Sequence, residues 1–412
     1  FIHGGLYALA ARQEWVKNYE QIEDETYDKY FRVFDPDLFD PYSWARTARE
    51  AGMRYMVITA KHHEGFCLWD SQYTDYKAPN TPCGKDLLRE VVDAFRSEGL
   101  RVGLYYSLID WHHPDFTIDP IHPQRNHPDA KKLNEGRDMA VYREYMKNQV
   151  RELLTNYGDI DIIWFDFSYP KETLNGLQGK GKEDWDSEGL LALARELRPR
   201  IIVDNRLDLP PEKADIHTPE QWQPQEWVTI NGKHVYWEAC QTFSGSWGYA
   251  RDEESWKSPE QLIKMLVSTV SCGGNLLMNV GPTARGTFDA RAKTALKVYG
   301  DWLNVHGRSI YGCTQSEFKA PDGCRYTQNG KRLYLHIFDW PFTYLHLSDM
   351  ADRVVYAQLL NDASEVAFKK GHQFHIFEIH EKQGVVNEKT LTLLLPVKKP
   401  NVVVPVVELF LK

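Results

Sequence analysis

Several features that mark particular classes of protein are absent from this sequence. None of its apolar runs reaches the roughly 18 residues that a membrane span requires, which argues against an integral membrane protein. Lys and Arg do not cluster, and the formal net charge of −9 disfavours a nucleic-acid surface. Internal repeats and low-complexity segments are also missing, so we expect no repeat architecture.

Cysteine pairs of the C-x-x-C type are missing as well. The six cysteines are scattered along 412 residues, at Cys67, Cys83, Cys240, Cys272, Cys313 and Cys324. In so long a chain we expect them to be reduced and mostly buried, which favours a cytoplasmic location. The chain begins at Phe1 without Met or an apolar leader, so we expect a trimmed start, and a removed leader stays open.

What the sequence does contain is a series of short apolar segments that turn polar at their C-terminal ends. The predicted strands are Tyr55–Ala60, Val102–Tyr106, Ile160–Phe165, Ile201–Val203, His234–Trp237 and Asn275–Asn279. The predicted helices are Pro41–Ala51, Lys85–Ser97, Asp138–Tyr157, Ser187–Leu197, Pro259–Ser271 and Ala290–His306. This alternation is typical of a (β/α) barrel, whose catalytic groups lie where the strands end. Because residues 207–233 are rich in Pro, Gln and Trp where a helix would stand, we expect an irregular (β/α)8-like TIM barrel of the α/β class.

After about residue 315 the pattern changes to short strand-like runs separated by turns. The predicted strands there are Arg332–Phe338, Thr343–Leu347, Val354–Leu360, Phe374–Ile379, Thr390–Leu395 and Val402–Leu411. We therefore predict a catalytic barrel domain over residues 1–314 and a C-terminal antiparallel β-sandwich domain over residues 315–412.

The densest polar cluster is the run Lys-His-His-Glu-Gly-Phe at residues 61–66, which follows a predicted strand. Two imidazoles at a strand end are suited to hydrogen-bonding the hydroxyl groups of a sugar. A rival interpretation is a metal site, whose ligands would be His62, His63, His112 and His113. None of these pairs has the spacing of a short zinc motif. A solvated loop without a function is the third alternative.

Asp166 comes directly after a continuous apolar run. A carboxylate at this position must lie at the strand end or be buried at high cost. The residues that follow lack the helix-start pattern with Glu three positions later, which favours a functional role over a capping role. Glycoside hydrolysis needs a second carboxylate. The local pattern does not choose among the candidate partners, which are Glu220, Glu226, Glu238 and Asp110.

Eight blocks over about residues 1–285 resemble, in order, the α-L-fucosidases of glycoside hydrolase family 29. They are His3-Gly-Gly-Leu-Tyr7 leading to Glu14-Trp15, the Ala60–Phe66 run, Tyr105-Tyr106-Ser107 with Asp110-Trp111, Trp164-x-Asp166, Asp204-Asn205-Arg206, Thr218-x-Glu220, Trp237-Glu238 with Ser246–Tyr249, and Gly274–Pro282. The sequence departs from the common His-Trp-Gly of the family by having His3-Gly4-Gly5.

The resemblance implies a retaining exo-α-L-fucosidase that needs no cofactor and no metal. It implies that Asp166 is the nucleophile, which must be ionised, and that Glu220 is the general acid and base. The implied substrate-binding residues are His3, Glu14, Trp15, His62, His63, Tyr106, Trp164, Arg206 and Trp247. The implied substrate is a fucosylated oligosaccharide or glycoconjugate, and a homo-oligomer is compatible with it.

Three other interpretations stay open at this point. One is a non-catalytic protein that binds fucose or galactose in the same pocket. Another is a metal-dependent sugar enzyme on a similar barrel. The third is a related retaining glycosidase that acts on galactose or on a fucose analogue, because these sugars share the axial 4-hydroxyl group.

Overall fold

The computed structural model describes residues 1–167, 171–370 and 387–412. Its contacts divide the chain into two units. The first consists of Phe1–Gln221, Cys240–Trp256 and Leu277–Leu296. The second consists of Trp222–Ala239, Lys257–Leu276 and Lys297–Lys412. The sharper boundary between residues 314 and 315 stays a prediction.

Eight segments close into a barrel. Four of them form one parallel sheet, in the order Tyr55–Lys61, Arg101–Ser107, Ile162–Asp166 and Ile202–Val203. A fifth segment follows, because parallel bridges join Asp204 to Ile216 and Glu220 to Cys240. Strands Glu238–Thr242 and Asn275–Asn279 pair next, and Ile2 completes the ring through parallel bridges to Val280 and Ile58. Two of the eight segments are held only by such isolated bridges, and the predicted irregular barrel is confirmed.

Several of the longer helices begin after residues whose side chains accept hydrogen bonds from the first turn. Asp40 accepts from the Ser43 N–H, and Ser258 and Gln261 form a capping box. The α-helices are Tyr7–Ala10, Val16–Tyr19, Asp24–Val33, Pro41–Glu50, Leu87–Ser97, Ala130–Leu133, Met139–Asn156, Lys182–Trp185, Ser187–Leu197, Pro259–Ser271 and Ala290–His306. Short 3₁₀ turns are Ala78–Asn80, Pro123–Asn126, Asn134–Gly136, Pro211–Lys213 and Gly307–Ser309. All six predicted helices are present, with ends displaced by no more than about two residues.

One predicted strand is wrong. The pattern places it at His234–Trp237, whereas the barrel strand is Glu238–Thr242. His234 instead belongs to a hairpin between Thr229–Ile230 and Lys233–His234, and a second small hairpin joins Thr173–Leu174 to Leu177–Gln178. All five residues of Glu238–Thr242 are buried although three are polar, and so the apolar pattern conceals the strand.

The C-terminal part of the chain forms two antiparallel sheets. One has the order Thr314–Gln315, Cys324–Asn329, Arg332–Ile337, Val406–Leu411 and Val354–Leu359. The other has the order Tyr344–Leu347, Leu391–Leu394 and Phe368–Lys370. Apolar side chains from both sheets share one core, in which Leu335, Leu391 and Leu409 are fully buried. This confirms the β-sandwich. The predicted strand Phe374–Ile379 lies outside the described residues.

All six cysteines lie in the described ranges, and four of them are buried. The cytoplasmic location inferred from them stays a prediction. Across the part of the chain that the structure describes, no helix combines the length and the apolar character needed to cross a membrane.

Candidate active site

Asp166 ends the strand Ile162–Asp166, and polar neighbours surround its carboxylate. The Tyr105 hydroxyl donates to Oδ2 at 2.7 Å, and Nη1 of Arg206 donates to Oδ1 at 3.1 Å. Nε2 of His63 lies 3.9 Å from Oδ2. The side chain is only 9% exposed, so these neighbours hold the carboxylate in one orientation.

The protonation of Asp166 follows from this environment. Burial raises the pKa of Asp166 to about 6, while the positive charge of Arg206 and the hydrogen bond from Tyr105 act in the opposite direction. The carboxylate is therefore ionised at neutral pH, as a nucleophile must be, and it becomes protonated as the pH falls through about 6.

Arg206 joins Asp166 to a second carboxylate. Its Nη1 also lies 2.8 Å from Oε2 of Glu220, its Nε donates to Oγ1 of Thr218 at 3.0 Å, and its guanidinium stacks over the Trp164 ring at 4.7 Å. Two oxygens that lie 3.1 and 2.8 Å from one nitrogen are at most about 5.9 Å apart, a limit compatible with the roughly 5–5.5 Å between the carboxyl groups of retaining glycosidases. Glu220 is 41% exposed, so solvent reaches this carboxylate while Asp166 is enclosed.

The other candidate partners have different surroundings. Asp110 is buried against the ammonium group of Lys61 at 3.2 Å, and it accepts the backbone N–H groups of His112 and His113. These contacts bind the Asp110 carboxylate to its own loop, which follows strand Arg101–Ser107. Glu226 and Glu238 belong to the second unit of the chain. Glu220 differs from these surroundings because it forms an ion pair with Arg206, the arginine that also binds Asp166.

Three buried histidines lie beside the two carboxylates. The His3 ring is 5.1 Å from that of Trp247 and 5.6 Å from that of His62, and Nδ1 of His63 lies 2.7 Å from Oγ of Ser107. Burial lowers the pKa of His62 to about 3 and that of His3 and His63 well below the usual value. Neutral imidazoles each offer one donor and one acceptor, which suits uncharged hydroxyl groups. Nδ1 of His62 is buried and makes no hydrogen bond within the protein.

Glu14 and Trp15 are two further predicted substrate-binding residues, and both lie near the residues described above. Oε2 of Glu14 accepts the backbone N–H of Gly248 at 2.7 Å, next to Trp247. Burial raises the pKa of Glu14. The Trp15 ring packs against His63 at 5.1 Å. The structure thus brings all but one of the predicted substrate-binding residues together around Asp166.

The exception is Tyr106, which corrects one prediction. Its hydroxyl donates to Oε1 of Gln149 at 2.8 Å, and its ring lies 4.6 Å from Nζ of Lys61. Adjacent residues of a strand point to opposite faces, so Tyr105 shares the inner face with its register partner Trp164, on which its ring stacks. The residue that contacts Asp166 is therefore Tyr105, which the sequence interpretation missed.

The four histidines of the metal hypothesis do not converge. His112 stacks on Tyr76 at 3.7 Å, and His113 packs on Tyr145 at 4.3 Å. Within residues 1–167, 171–370 and 387–412, no group of three or more His, Cys, Asp or Glu side chains is arranged to hold a metal ion. The geometry favours acid–base and nucleophilic chemistry by paired carboxylates.

Comparison with known proteins identifies the family. The family model for α-L-fucosidases matches residues 1–308. The chain belongs to the α-L-fucosidase family. It is therefore a glycoside hydrolase with α-L-fucosidase activity.

Individual α-L-fucosidases match over most of their length. Human plasma α-L-fucosidase is 30% identical over 380 residues, which cover 83% of this chain and 74% of the relative. The structure of α-L-fucosidase isoenzyme 1 from Paenibacillus thiaminolyticus matches with a TM-score of 0.91 and 42% identity, covering 100% of this chain and 96% of that one. A family 29 α-L-fucosidase from Bacteroides thetaiotaomicron, trapped as a covalent intermediate in complex with 2-fluoro-fucosyl fluoride, matches with a TM-score of 0.83 and 27% identity over 100% and 93% of the two chains.

Proposed function

We propose that this α-L-fucosidase releases terminal α-L-fucose from oligosaccharides or glycoconjugates, with Asp166 as the nucleophile and Glu220 as the general acid and base. The observation that carries the assignment is the single nitrogen of Arg206 that contacts both carboxylates, at 3.1 and 2.8 Å. A shared cation keeps the two groups close without forcing them to share a proton.

In the first step an oxygen of Asp166 attacks the anomeric carbon of the fucoside. The bond to the leaving oxygen breaks, and Glu220 donates a proton to that oxygen, which leaves a covalent fucosyl-enzyme. In the second step Glu220 takes a proton from water, whose oxygen attacks the same carbon and frees Asp166. The exposure of Glu220 suits these contacts with the aglycone and with water.

Recognition of the sugar follows from the groups around Asp166. Neutral His3, His62 and His63 and the carboxyl of Glu14 are directional partners for uncharged hydroxyl groups. Trp247 offers an apolar wall for the methyl group that replaces the 6-hydroxyl of galactose in fucose. Nearly all these groups are buried, which supports recognition of a terminal sugar rather than one within a chain.

Substitution of each carboxylate tests the assignment. Asp166→Asn should abolish turnover of every fucoside, because the nucleophile is lost. Glu220→Ala should slow cleavage of a fucosyl oligosaccharide about 10²–10⁴-fold, since its sugar leaving group needs protonation. The same variant should change kcat/KM for p-nitrophenyl α-L-fucoside far less, because that aryl group leaves without help. Glu226→Ala, at an exposed glutamate, is the matched control. If Glu226→Ala or Glu238→Ala shows the leaving-group dependence instead, Glu220 is not the acid and base.

A further inference from the structure

Glu64 follows the two site histidines, but no step of the proposed mechanism uses it. Its side chain is buried, with only 1% of the residue exposed. Oε1 accepts the backbone N–H of Leu6 at 2.8 Å, and Oε2 accepts a hydrogen bond from the Tyr27 hydroxyl. Burying a carboxylate is costly unless such donors compensate, so the structure uses this group for a defined set of contacts.

These contacts fix the segment that carries His3. The backbone N–H of Tyr7 also hydrogen-bonds to the Glu64 carboxylate. The short helix Tyr7–Ala10 starts here, and the N–H groups of a first helical turn have no partner within the helix. Glu64 therefore binds Leu6 and Tyr7, through their backbone N–H groups, to the end of strand Tyr55–Lys61.

The approach of the carboxylate explains a glycine in the same segment. A Cβ atom on Gly5 would lie 2.4 Å from Oε1 of Glu64, which is closer than real Cβ contacts. The Tyr7 ring that follows packs edge-on against His62, with 5.4 Å between the ring centroids. The His3 ring, whose Nδ1 lies 2.6 Å from Oδ1 of Asn279, is 5.6 Å from the His62 ring, and the Glu64 contacts begin three residues after His3.

We propose that Glu64 is a positioning residue for sugar binding, because its carboxylate holds Leu6 and Tyr7, and the Tyr7 ring packs on His62 while the adjoining residues carry His3. The proposal rests on the proposed function in one respect, namely that these two histidines bind fucose. The described contacts of Glu64 are with Leu6, Tyr7 and Tyr27 rather than with either catalytic carboxylate, so its loss should weaken binding of the sugar more than it slows the chemistry.

The substitution Glu64→Gln tests this with almost no change of shape. The amide NH₂ group either meets a backbone N–H, which then loses its acceptor, or faces the Tyr27 hydroxyl, which must reverse and accept. In both cases the backbone N–H groups lose their charge-assisted hydrogen bonds to a carboxylate. We expect KM for p-nitrophenyl α-L-fucoside and the inhibition constant of free fucose to rise about ten-fold or more. We expect kcat per active site to change less than about three-fold. Active sites are counted by the fluoride ion that is released when 2-fluoro-fucosyl fluoride traps the covalent intermediate. Tyr27→Phe removes a single donor and should raise KM by a smaller factor.

Glu152→Gln is the matched control. Glu152 is also a buried carboxylate that accepts one aromatic N–H and one backbone N–H, from Trp69 at 3.0 Å and Gln72 at 2.8 Å. Both glutamine variants should lower Tm, but the control should keep the wild-type KM. Equal KM values for the two variants would mean that Glu64 is merely structural. If Glu64→Gln does not fold, Tyr27→Phe carries the test, and an unchanged KM overturns the proposal.

Variants of His3 and His62 test separately whether these histidines bind fucose and whether Glu64 positions them. If His3→Ala and His62→Ala raise KM while Glu64→Gln does not, the positioning role of Glu64 is wrong and the fucose contacts stand. If neither histidine variant changes KM, the proposed fucose contacts are wrong, and the role of Glu64 is overturned with them.

Discussion

Arg206 is predicted to set the pH at which this enzyme loses activity on the acid side. Asp166 must be ionised to attack, and the guanidinium 3.1 Å away favours the ionised form. Arg206→Gln removes the charge but keeps a hydrogen-bond donor. An opposite charge at this distance lowers a carboxyl pKa by about 1–3 units, so its removal should raise the pKa of Asp166 from about 6 to roughly 7–9. The remaining negative charge of Glu220 acts in the same direction.

The assay is the pH dependence of kcat/KM for p-nitrophenyl α-L-fucoside, which reports ionisation of the free enzyme. A raised pKa means that Asp166 is protonated at higher pH, so the acid limb should move upward by about one unit or more. Arg101→Gln is the control, since Arg101 pairs with Asp161 at 2.8 Å at the opposite ends of the same strands, and its acid limb should not move. An acid limb in Arg206→Gln that stays near pH 6 or moves downward would refute the reasoning.

Other outcomes follow from the same geometry. Tyr105→Phe removes a hydrogen bond that stabilises ionised Asp166, so kcat/KM should fall and its acid limb should move upward; an unchanged profile would contradict this contact. Tyr106→Phe should leave the kinetics unchanged and lower the free energy of unfolding by about 1–3 kcal/mol, because buried Gln149 loses a donor. Urea unfolding measures that loss, and altered kinetics would place Tyr106 in the site after all. Dialysis against EDTA should leave kcat and KM unchanged, whereas activity lost and then restored by zinc would revive the metal hypothesis.

The helices and most barrel strands could be predicted from the sequence because their signals are local. Apolar periodicity and capping residues lie within each helix, and a strand buried on both faces appears as a continuous apolar run. The strand Glu238–Thr242 escaped because Gln241 and Thr242 are polar residues buried in the barrel. Ring closure by Ile2 also depends on partners far away in the chain, which no local pattern records.

Some residues of the candidate site could likewise be predicted from the sequence, and others could not. The place of Asp166 at the end of a buried strand could be predicted, because a lone carboxylate follows an apolar run. Which of Tyr105 and Tyr106 faces Asp166 could not be predicted. Six of the seven residues of strand Arg101–Ser107 are buried, so polar and apolar residues do not alternate along it and the sequence does not show which face is the inner one. The local pattern leaves Glu220 among its rivals, and the resemblance to the family favours it. The structure adds the ion pair of Glu220 with Arg206, the residue that also binds Asp166.

Closure of the barrel by residue 2 has a consequence during synthesis. His3 takes its place beside Asn279, a residue 276 positions later in the chain, and Ile2 pairs with Val280. At about 5–20 residues per second, a ribosome needs roughly 14–55 seconds to make that stretch. Throughout this time the segment around Ile2 can pair on one side only, with strand Tyr55–Lys61. A nascent chain stalled before about residue 280 therefore exposes an open sheet edge to chaperones and to other chains, and it lacks a finished site.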